Sequence, residues 1–154
     1  MNEQHKEHAE FIFARMSMLL TEHGAIDPTY IMIVEGQRIP VMITPQAEMS
    51  MEDYQDIVHQ AAKELDPDGI LFICEQWMIS RPKDDPEIQL LLNGTMKPSE
   101  QSDKEPYLTL IYKNRDGDSK TLISKVHTDP GGTKYTKDQS WINTCISNMI
   151  GEWL

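Results

Sequence analysis

A chain of 154 residues, 39% apolar and 25% charged, is long enough to bury most of its apolar surface in one core, and a single domain over residues 1–154 is expected. No apolar run is long enough to cross a bilayer, and a net charge of −11 argues against a basic nucleic-acid groove or an anionic membrane surface, leaving a partner with a basic surface open. The first twenty residues lack a basic region and cleavage site for export, and Cys74 and Cys145 sit in apolar patterns as reduced hydrophobes, so a cytoplasmic protein is expected.

Ala9, Ile12, Phe13, Met16, Leu19 and Leu20 recur at helical spacing and Gly24 suits a left-handed cap, which predicts a helix from about Glu3 to His23. The segment "TYIMIVEGQRIPVMIT" reads as a hairpin about a two-residue turn at Gly36-Gln37, with glycine first as a type II′ turn requires. That turn would place Glu35 opposite Arg38 and gather the pairs Val34/Ile39, Met32/Val41 and Tyr30/Ile43 on a core face. The other face, with Ile31, Ile33, Pro40 and Met42, is too apolar for open solvent; one of the protein's own helices or a second copy of the chain would cover it. Ser50 with Asp53 forms a capping box, Tyr54, Ile57, Val58, Ala61 and Leu65 mark the buried stripe of a second helix, and "DPDG" ends it.

A third strand is expected from Ile70 to Ser80, followed by a long irregular stretch carrying one short element, "IQLLL". A hairpin over about Tyr107 to Val126 has Asp116-Gly117 at its tip. A two-residue turn there would oppose Lys113 to Lys120, so a longer loop or a bulge is expected. After "DPGG", Thr136 and Gln139 match a capping box, and Trp141, Ile142, Cys145, Ile146, Met149, Ile150 and Trp153 form the stripe of a last helix. The expected fold is α+β, a mainly antiparallel sheet of about five strands with three helices in the order αββαβββα.

Candidate chemistry is thin. In the third strand Glu75 lies between apolar neighbours beside Trp77; with His127 it could line a pocket as a general acid or base, or it could be a structural carboxylate held by a cation or backbone donors. His5 and His8 lack further convergent ligands and read as a solvated first turn, so no metal and no cofactor is expected. "NRDGDSKTLISK" has its glycine fourth and Lys125 twelfth, unlike a calcium loop, and "DPGGTK" lacks P-loop spacing and reads as a turn. Charge is more informative. Between residues 46 and 69, Glu48, Glu52, Asp53, Asp56, Glu64, Asp66 and Asp68 face the single base Lys63, which puts over half the net charge on one segment.

With "FICEQWM" followed by "RPKDDPE" and then "EPYLTLIYKNRDGDSKTLI", residues 70 to 126 resemble small uncharacterised bacterial and phage proteins. These share a strand ending E-x-W-M, a Pro-rich charged loop and a D-x-D-G-like hairpin. The resemblance implies an α+β fold and carries no catalytic residues. The first functional expectation is therefore a non-enzymatic interaction module, of the kind a phage or mobile element uses as an inhibitor. Glu48, Glu52, Asp53 and Asp56, with Ile31, Ile33 and Met42, would face a basic surface that otherwise holds nucleic acid, and the module itself would not contact nucleic acid. The second is a small-ligand or nucleotide enzyme with a pocket around Glu75, Trp77 and His127; homodimerisation through the first hairpin is compatible with either.

Overall fold

The structure, a computed structural model, describes residues 1–43, 48–79, 84–92, 95–97 and 100–143. The first helix, α1 (Glu3–His23), begins at Asn2, whose side chain accepts from His5 N–H, and stops at Gly24 with φ 78°, both ends as the sequence dictates. A hairpin of β1 (Thr29–Val34) and β2 (Gln37–Val41) follows. Its turn is Glu35-Gly36, with φ 49° and 78°, so both central residues are left-handed as in a type I′ turn. The turn thus lies one residue earlier than expected: Val34 faces Gln37, Met32 faces Ile39 and Tyr30 faces Val41. Pairing changes by two positions, so each side chain keeps its face.

Helix α2 (Met51–Leu65) starts with the expected reciprocal Ser50–Asp53 capping box and ends at Asp66, in the left-handed region at φ 50°. Arg115 closes that end from another part of the chain, donating to Asp66 O at 2.9 Å and Pro67 O at 3.1 Å and pairing with the Asp66 carboxylate. The buried stripe of α2 is rotated from the expected one: Val58 and Ala62 are buried while Ile57 is exposed. Strand β3 (Gly69–Met78), the short helix α3 (Ile88–Leu92), and strands β4 (Glu105–Asn114), β5 (Ser119–Thr128) and β6 (Lys134–Ile142) complete the order αββαβαβββ among the described residues.

All six strands form one antiparallel sheet in the order β2-β1-β3-β4-β5-β6. The α+β class is as expected, with six strands in place of about five. The additional strand replaces the start of the expected last helix: Thr136, Gln139, Trp141 and Ile142 lie in β6, and Cys145, Ile146, Met149, Ile150 and Trp153 fall outside the described residues. The T-x-x-Q match is purely local, whereas "DPGG" makes a tight hairpin turn. In it Asp129 N–H bonds Thr133 O at 3.0 Å, Gly132 N–H bonds Asp129 O at 3.0 Å, and the Asp129 carboxylate accepts from Thr133 N–H at 2.9 Å. That turn delivers β6 onto β5, and sheet pairing prevails over the cap signal. The β4–β5 connection is the longer loop that the lysine argument calls for: Lys113 faces Ser119, Lys120 faces Tyr112, and Asn114 closes residues 115–118 by accepting from Asp116 and Asp118 N–H.

The sheet is apolar on both faces. On one, Leu71, Ile73, Leu108, Leu110, Tyr112, Leu122 and Val126 meet Ala9, Phe13 and Leu20 of α1, and Ile31 and Ile33 join them. On the other, Tyr30, Met32, Ile70, Phe72, Cys74 and Ile111 meet Val58 and Ala62 of α2. Between Ile123 and Lys125 the β5–β6 register shifts, and β6 takes one extra residue at Asp138, left-handed at φ 62°. Because of that insertion Thr136 and Trp141 both project toward α1, and the Trp141 indole N–H donates to Glu10 at 3.3 Å.

Candidate functional site

Glu75 answers to a structural environment. Its side chain is 29% exposed; one carboxylate oxygen accepts Ile26 N–H at 3.1 Å and the other lies 3.6 Å from Lys134 Nζ. Lys134 belongs to β6, the strand that sequence patterning reads as the approach to a helix, so this partner is not visible from local sequence. Trp77, on the same strand face, is 47% exposed with Lys104 Nζ 4.6 Å from its ring centre. The two line a shallow recess of about 290 Å³ with Pro106, Val126 and Lys134. His127 does not join it. Alternation along β5 turns its imidazole to the opposite face, where it stacks on Tyr135 with ring centres 5.2 Å apart. A carboxylate engaged at both oxygens, with no imidazole among the described residues that line its recess, is arranged to anchor the end of β3.

The acidic segment lies along the outside of α2. Glu48, Glu52, Asp53, Asp56 and Glu64 are exposed. Their settings differ. Asp53 accepts from Ser50 N–H at 2.8 Å as part of the cap, and Asp66 is tied to Arg115. Glu52 and Asp53 stand in the first turn, where the helix dipole favours negative charge, so part of this charge serves the helix. Glu48 precedes the helix in a left-handed conformation at φ 74°, an uncommon one for a side chain of its size. Among the described residues no lysine or arginine pairs with Glu48, Glu52 or Asp56.

The hydrophobic members of the expected interface separate. Ile31 and Ile33 are 6% and 0% exposed beneath α1, so the protein's own helix covers that hairpin face; Met42, 87% exposed, stands free of it. His5 is likewise not solvated. It is 4% exposed with Nδ1 2.6 Å from the Tyr112 hydroxyl, while His8 Nδ1 lies 2.8 Å from the Arg38 guanidinium, which also covers the Phe11 ring at 4.1 Å. Burial first, and then the neighbouring cationic groups, hold both imidazoles below the usual histidine range, with Asp68 opposing at His5. Among the described residues no three His, Cys, Asp or Glu side chains converge on a common point, and no helix is long and apolar enough to cross a membrane. No family model, curated protein or solved structure matches this chain.

Proposed function

We propose that the protein is a non-enzymatic interaction module, of the kind a phage or other mobile element would use as an inhibitor, that presents the N-terminal half of α2 to a basic surface on another protein. The observation that carries this reading is selective neutralisation. Asp66, Glu75 and Glu105 each have a basic partner, yet among the described residues Glu48, Glu52 and Asp56 are exposed with no lysine or arginine partner around the start of one capped helix. Carboxylates held on such a scaffold replace phosphate oxygens opposite lysine and arginine, steer association over about a Debye length and lose strength as salt screens them. The competing pocket reading draws no support from geometry, since His127 and Glu75 occupy opposite sheet faces.

The test is capture of interacting proteins from the source cell by the full chain, quantified at about 0.05 M and about 0.3 M salt. The triple variant Glu48→Lys, Glu52→Lys, Asp56→Lys runs in parallel, with Asp53 left intact because it caps the helix. One protein with a basic surface, depleted at least about tenfold by both charge reversal and salt, is the expected result. Capture that ignores the reversal rules this function out.

A further inference from the structure

On the sheet face turned away from α1, at the β5–β6 bulge, side chains of three strands form a small grid. Tyr107, Lys125 and Lys137 face one another in a single cross-strand row, with His127 and Tyr135 forming the next. Two lysines directly opposite each other destabilise a sheet by themselves. Glu105 engages Lys125 at 2.9 Å, but among the described residues no acid pairs with Lys137. The bulge that brings Lys137 into this row also requires Asp138 in a left-handed conformation, and Ser124 Oγ fixes it by donating to Lys137 O at 2.9 Å. Above the row is a recess of about 330 Å³, lined by Tyr107, Lys125, His127, Lys137, Asp138 and Ser140. Its ammonium, imidazole and hydroxyl groups make it rich in hydrogen-bond donors, within a chain whose net charge is −11.

We propose that this recess binds a nucleoside monophosphate, the phosphate lying between Lys125 and Lys137 and the base lying against the His127–Tyr135 pair. A phosphate dianion relieves the opposed lysines and accepts from the surrounding hydroxyls, attractions that must exceed its repulsion by Glu105, which is paired with Lys125, and by Asp138 at the margin. Of the stacked pair, His127 lines the recess and Tyr135, 41% exposed, lies outside its lining, so the pair offers an aromatic surface at the rim. The volume lies at the small end of ligand pockets and suits one nucleotide. A long polyanion is a poor occupant, because the whole-molecule charge repels each additional phosphate. This site is separate from the acidic face of α2, and neither depends on the other.

The experiment is titration of the full chain with AMP, with inorganic phosphate and with a single-stranded oligonucleotide, followed by NMR shifts of the His127 and Tyr135 rings. Saturable binding of AMP, at least about tenfold tighter than phosphate, is expected. Lys137→Gln should weaken it about tenfold, Lys137→Arg should retain it, and Lys63→Gln on α2 should leave it unchanged. Should Lys137→Gln fail to fold, Lys125→Arg together with Lys137→Arg must still bind AMP. No saturation below about 10 mM, phosphate binding as tightly as AMP, full affinity in Lys137→Gln, or tighter binding of the oligonucleotide per nucleotide each overturns the assignment.

Discussion

His5 and Gly69 show how closely single side chains are fitted beneath α1. A Cβ on Gly69 would sit 3.2 Å from the His5 ring and 3.2 Å from the Tyr112 ring, both held by their mutual hydrogen bond. Gly69→Ala is expected to cost about 1–3 kcal/mol through overpacking, read as a lower urea midpoint at unchanged slope; a loss under about 0.5 kcal/mol would contradict the packing. His5 is also a titration site with a definite sign. Burial lowers its proton affinity, so below about pH 6.5 the unfolded chain binds a proton that the folded chain resists. Its contribution is complete above that value and declines as pH falls through the folded one. Between about pH 7.5 and about pH 5.5 the melting temperature of the natural chain should therefore fall further than that of His5→Gln, with His8 supplying the remainder; parallel curves would remove His5 from the account. Neither role is readable from local sequence, because Tyr112 lies 107 residues from His5. The carboxylate of Glu75 is half legible: its need for partners follows from the apolar strand around it, while Lys134 and the Ile26 amide appear only once the sheet is assembled.

Elements with strong local signals form where the sequence places them. The expected span from Glu3 and the Gly24 stop bound α1, the Ser50–Asp53 box starts α2, and β3 extends to Met78, with Ser80 outside the described residues. Turn types and the last strand depend on more than neighbours in the chain. Choosing between Gly36-Gln37 and Glu35-Gly36 alters pairing without moving any residue to the other face, so the apolar pattern cannot decide it; the twist of the strands favours the type I′ turn. That choice leaves Glu35 left-handed at φ 49°, where asparagine is better tolerated. Glu35→Asn should raise stability by about 0.5–1 kcal/mol, measured by thermal and urea unfolding, and a destabilised variant would mean that the turn is of another type. In β6 the bulge adds a shift of face that no alternation rule anticipates, which is why Trp141 and Lys137 project to opposite sides.

At the scale of the whole molecule the charge is polarised. Among the described residues Glu48, Glu52 and Asp56 have no lysine or arginine partner around the start of α2, while Lys125 and Lys137 face each other toward the β6 edge of the same sheet face. A net charge read from composition averages these two regions, so the acidic surface is legible in the sequence and the basic row is not. Binding through α2 should accordingly weaken with salt, while the nucleotide recess, with its short-range hydrogen bonds, should respond less. The docking of α1 has a further effect, on the order of events at the ribosome. Glu10 reaches Trp141 across 131 residues, and α1 packs on β3, β4 and β6. At synthesis rates of about 5–20 residues per second, the apolar stripe of that helix waits roughly 6–26 s for its last partner strand. Docking of α1 is therefore a late step, and the nascent chain spends that interval with the apolar stripe of the helix available to chaperones.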